Sequence, residues 1–108
     1  MRWLVGLLLM LGLWMAPAPA HAAADGAALF EAHCVGCHLN GGNIIRRGKN
    51  LKLATLQSQG LDSTDAIANI ARNGIGQMSG YGDKLGEGGD QLVAAWILEQ
   101  AQNAWIQG

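Results

Sequence analysis

Five consecutive residues, Cys34-Val35-Gly36-Cys37-His38, constrain this chain more than anything else in it. Two thiols one helical turn apart, followed at once by an imidazole, have the Cys-x-x-Cys-His spacing of a c-type haem attachment site. One turn sets both thiols under the two vinyl groups of a porphyrin, so that two thioether bonds can form. His38 is then held below the ring and can present a nitrogen to the iron. Other uses of the same residues stay open at this point. A thioredoxin-type redox pair needs a βαβ pattern, which is missing here. A zinc site needs about four ligands, and His33, Cys34, Cys37 and His38 are too close together for a good tetrahedron. A chance match in an exported protein is the third alternative.

The start of the chain bears on which use applies. Arg2 supplies a positive charge, and Leu4 to Met15 is apolar. Ala16-Pro17-Ala18-Pro19-Ala20-His21-Ala22 gives a small-residue, helix-breaking end. That order is a secretory signal peptide, expected over residues 1–22, with cleavage after Ala22 or Ala24. A retained anchor is the competing reading, but the run of about twelve residues falls short of the ~20 a bilayer crossing needs. Export would bring the thiols into an oxidising compartment, and haem attachment would leave neither of them free.

Removing the leader leaves a domain over residues 25–108, with Met78 its one methionine and His33 and His38 its histidines. Losing Arg2 takes the formal charge from −1 to −2, which does not suggest nucleic-acid binding. A chain of about 85 residues buries a modest core and commonly needs a staple. A large apolar cofactor at its centre would serve better than one tiny disulfide loop.

The rest reads as helices with no strand signal. Asp25–His33 is expected as a first helix with Asp25 as its cap, and Leu51–Gln59 as a short one closed by Gly60. Ser63–Asn73 is a better helix, capped by Ser63 or Asp62, with Ile67, Ile70 and Ala71 on one face and Gly74 as its stop. Gly74 to Gly89 is expected as a glycine-rich loop. A last helix follows, capped by Asp90, with Leu92, Val93, Trp96 and Ile97 as its apolar stripe. Met78 lies in the glycine-rich loop, where a thioether could complete a His/Met iron site suited to electron transfer. The alternative is a methionine filling a gap in the core. His33 reads as a surface histidine. Arg46, Arg47, Lys49 and Lys52 form a basic stretch that either meets an anionic partner or is only solvated. No constellation supports enzyme chemistry.

These residues resemble the cytochrome c6 family, the small class I cytochromes of oxygenic photosynthesis. The likeness runs from Asp25 to Trp105. It rests on Gly26-Ala27-Ala28-Leu29-Phe30, on Cys34 to Gly42, on Asn73-Gly74 ahead of Met78, and on Val93 to Ala101 with Trp105. The resemblance implies an all-α class I cytochrome c fold, with about four helices around one covalent haem c and Gly26 and Phe30 packed against Trp96. It implies Cys34 and Cys37 as thioether residues, and His38 and Met78 as axial ligands. It further implies a soluble, monomeric electron carrier in the thylakoid lumen or periplasm, with an exposed haem edge. A cytochrome b6f-type complex would be its donor, and photosystem I or a terminal oxidase its acceptor, with no stable membrane insertion after processing. The alternative function is a haem protein with an open sixth site, acting as a redox or gas sensor.

Two positions depart from the family's main members. Ser79 follows Met78 where the family usually has proline. Ile70 stands where the main members carry a glutamine close to the ring, and an apolar residue there resembles the c6-like side branches. Ile70 is thus expected to pack on the haem and to lower its potential, or to serve core packing alone. Lys84 keeps a cation where many members have arginine.

Overall fold

The computed structural model describes residues 19–106, and side chains from Ala24 onward. Most of the expected leader lies outside the described residues. Among those described, four helices have six residues or more: α1 (Pro19–His33), α3 (Leu53–Ser58), α4 (Thr64–Asn73) and α6 (Gly89–Gln102). Two single-turn helices, α2 (Val35–His38) and α5 (Gly82–Leu85), complete the set. The all-α expectation holds, with one addition. Inside the glycine-rich segment, β1 (Gly74–Ile75) and β2 (Met78–Ser79) pair antiparallel, Gly74 opposite Ser79 and Ile75 opposite Met78.

The first helix begins earlier than expected, at Pro19, and Asp25 is an exposed interior residue instead of its cap. A proline obstructs the turn before it but suits the first helical position, where its missing N–H costs nothing. The alanines that follow have the highest helix propensity. The later boundaries agree better. Ser63 caps α4 by accepting a hydrogen bond from the Ala66 N–H at 3.2 Å, and Gly74 ends it at φ 79°. Asp90 is not the cap of α6. Gly88 occupies that position, and Asp90 is buried in the first turn, paired with Arg72 of α4.

α1 and α4 both pack against α6. α1 reaches α6 because Gly26 has no side chain: a Cβ there would lie 2.6 Å from the Leu92 carbonyl oxygen and 2.7 Å from Trp96 Cβ. Below that contact, Phe30 packs at 4.8 Å from Trp96 and 5.5 Å from Trp105, ring centre to ring centre. Trp96 and Trp105 meet edge to face at 5.8 Å, an arrangement that favours aromatic pairs beyond the area they bury. Ile67, Ala68 and Ala71 of α4 and Val93, Ala94, Ile97 and Ala101 of α6 complete the centre with Leu56 and Leu85.

Beyond α6 the chain turns back on itself. Ala104 and Trp105 take left-handed backbone angles, and the Trp105 N–H returns to the Gln100 carbonyl at 2.8 Å. This brings the Trp105 ring over Gly41, with its indole N–H donating to the Leu51 carbonyl at 3.0 Å. The segment from Gly41 to Leu51 is closed at its base by a 2.7 Å hydrogen bond between those two residues. The last aromatic side chain thus fastens the loop that follows the cysteine motif.

Candidate functional site

The cysteine motif sits where α1 gives way to α2. The Cys34 N–H still bonds to Phe30 as part of α1, and the His38 N–H bonds back to Cys34 at 3.0 Å. Cys34 is half-buried and Cys37 exposed. Burial, and then the neighbouring Cys37, push the Cys34 thiol up to about 11, so at neutral pH it is held as the thiol. The two sulfurs are not bridged.

His38 is buried, and its Nδ1 lies 2.7 Å from the carbonyl oxygen of Gly42. A carbonyl only accepts, so Nδ1 carries the proton and donates it. The lone pair is then on Nε2, fixed in direction by the bond at the other end of the ring, which is how metal-binding imidazoles are oriented. Gly42 is placed to accept because its own N–H is tied to Leu39 at 3.0 Å, across a 3-10 turn over Leu39–Gly41.

Met78 is half-buried and lies on β2, on a tight hairpin instead of the irregular loop expected from its glycines. Gly74 is needed at the base of the hairpin, since its φ of 79° disfavours any other residue and a Cβ would meet the Met78 carbonyl. The chain leaving the hairpin is tied to α4 by the Tyr81 N–H bonding to the Ala71 carbonyl at 2.8 Å. Tyr81 also links the hairpin to the cysteine motif: its ring lies 6.2 Å from that of His33, the residue before Cys34. His33 is therefore half-buried against an aromatic ring, not a free surface histidine. Lys84 sits 5.3 Å from the Tyr81 ring centre, a cation–π contact.

Ile70 is half-buried on α4, at the edge of the face whose centre is Ile67 and Ala71. Leu51, Leu53 and Leu61 are half-buried around the same core. Together these residues offer two thiols on one turn, an imidazole with a free and oriented Nε2, a thioether, and apolar side chains that finish the core only in part. This donor set fits a covalently held haem. Sequence reasoning found the side chains but missed the Gly42 carbonyl, since a backbone acceptor leaves no mark in composition. It also missed Tyr81 and the Arg72–Asp90 pair.

Residues 21–97 match a family model described as cytochrome C oxidase, cbb3-type, subunit III. A cytochrome c6-like protein of Nostoc sp. (strain PCC 7120) is 48% identical over 102 residues, covering 94% of this chain and 92% of the relative. A cytochrome c6 of Synechococcus sp. (strain ATCC 27167 / PCC 6312) is 39% identical over 99 residues, covering 91% and 88%. Among solved structures, cytochrome c6B from Synechococcus sp. WH8102 superposes with a TM-score of 0.76 at 84% identity, over 78% of this chain and 96% of that one.

Proposed function

The chain belongs to the cytochrome c6 family, in a c6-like side branch with the class I fold and one covalent haem c, and from this premise we propose that it is a carrier of single electrons with a closed His/Met iron. Cys34 and Cys37 would hold the haem through thioether bonds, His38 and Met78 would ligate its iron, and Ile70 would pack against it. The observation that carries the reading is the His38 Nδ1–H bond to Gly42, which commits one ring nitrogen and leaves the other for iron. Bound haem supplies a one-electron change at its iron. The chain's residues would hold it in place: the Met78 thioether would ligate the iron and leave no position for a substrate, and the half-buried leucines would pack against the haem.

The electrons would pass between membrane complexes, from a cytochrome b6f-type donor to photosystem I or a terminal oxidase. The protein would work as a monomer in the thylakoid lumen or periplasm after losing residues 1–22. No helix among the described residues is long and apolar enough to cross a membrane. The alternative of an open-site sensor finds no support in the relatives.

The test is a redox titration of the haem-loaded protein together with exposure of the ferrous form to carbon monoxide. A single reversible one-electron step and no rapid carbon monoxide binding are expected. Ready binding by the wild type would overturn the closed site.

A further inference from the structure

The charges of this chain are segregated. Between Glu31 and Asp62 there is no Asp or Glu, yet Arg46, Arg47, Lys49 and Lys52 all fall in that interval. All are exposed, and none forms a salt bridge with a described acid. A protein whose net charge is negative thus carries one locally basic face.

That face is also apolar. Leu39, Ile44 and Ile45 are 61%, 67% and 62% exposed, and they account for most of the large exposed hydrophobic side chains among the described residues. They are held there by a built loop. Asn43 accepts hydrogen bonds from the Ile45 and Arg46 N–H groups at 3.0 and 2.8 Å, and donates to the Lys49 carbonyl at 3.0 Å. Asn50 donates to Arg47 and accepts from Lys52. Leu39, Asn43, Ile44, Arg47, Asn50 and Lys52 line a groove of about 350 Å³. The Ile44 N–H bonds to the Cys37 carbonyl at 3.0 Å, so this face adjoins the cysteine motif.

We infer that the Leu39, Ile44–Lys52 face is a docking surface for an acidic protein, with an apolar contact at its centre and a carboxylate-rich rim. Opposite charge steers the encounter, and a preformed apolar patch with a concavity beside it rewards a partner of matching shape. A fluid bilayer makes no demand on a rigid loop and cannot enter a groove, which favours a protein over an anionic lipid surface. That the bound protein is an electron donor or acceptor rests on the carrier reading above. The contact would then deliver it beside Cys37.

The processed, haem-loaded ferrous protein can be titrated by amide NMR with poly-L-glutamate, a random glutamate–leucine copolymer, and vesicles containing phosphatidylglycerol, at low and high salt. Both polymers should shift residues 44–52, less so as salt rises. The double variant Arg46→Glu, Arg47→Glu should weaken polymer binding by more than about tenfold, whereas Lys84→Glu should not. Ile45→Ser should weaken the copolymer only. Vesicles should leave the loop unshifted. Polymer shifts elsewhere, or unaltered binding by the double variant, would overturn the inference, and tighter binding to vesicles would make the face a lipid-binding one. A redox titration of the same samples keeps the two readings apart: an unchanged potential in the double variant isolates docking, and a wild type without a reversible one-electron step sinks the carrier reading instead.

Discussion

Ile70 and Trp105 are the two residues whose chemistry can be read most directly. Ile70 is half-buried beside the α4 core face, and on the reading proposed above it would bring no dipole to the haem. A glutamine there could direct its N–H groups at the porphyrin and favour the added electron, since hydrogen bonding and burial both tune haem potential. Ile70→Gln should therefore raise the potential in a titration against the wild type, and about 59 mV is a tenfold change in a one-electron equilibrium. Met78→Ala should keep the covalent haem, lower the potential and allow carbon monoxide to bind, as optical spectra would report. Trp105→Phe keeps the aromatic packing but strands the Leu51 carbonyl, a loss of about 1 kcal/mol measurable by thermal unfolding. The side chains of the motif and Met78 were legible as candidates because their chemistry is carried by residue type. The role of Gly42 was not, because it acts through its backbone.

At the scale of elements, the sequence and the structure part company where one residue type can do two jobs. Ser63 was readable as a cap and is one. Asp90 carries the same signal, but its carboxylate crosses to Arg72 and ties the start of α6 to the end of α4. Only the fold decides between a local and a distant partner. The Arg72 side chain is 48% exposed, which weakens the pair, while that of Asp90 is 12% exposed and keeps most of it out of water. Arg72→Met should cost about 1–3 kcal/mol, less than a fully buried pair would, and a double-mutant cycle with Asp90→Asn would isolate the coupling. The β1–β2 hairpin was invisible because two residues per strand are too few for any alternation to register. The α1–α6 contact was expected from the family resemblance alone, and Gly26 does lie against Trp96. Gly26→Leu should destabilise the protein by about 1–3 kcal/mol or more through overpacking, again seen by thermal unfolding.

For the molecule as a whole, α1, α4 and α6 form a modest centre, and Leu51, Leu53, Leu61 and Ile70 finish it only in part. Chains this small depend on a staple, and a bound cofactor contributes folding energy outright. Replacing both Cys34 and Cys37 with Ala should give a largely unfolded chain by circular dichroism. A cooperatively folded double variant would show that the helices hold without the thioether anchors.

The fastening of Leu51 by Trp105 has a bearing on timing. A ribosome makes the chain from its N-terminus, and the two partners are separated by 54 positions. The segment behind the cysteine motif therefore cannot lock until the chain has been made through Trp105. The contact of α1 with α6 likewise waits until both helices have been made, because contacts between distant segments form late. The Gly41–Leu51 loop is thus among the last parts of the molecule to become rigid, while Cys37 beside it stays exposed even in the folded chain.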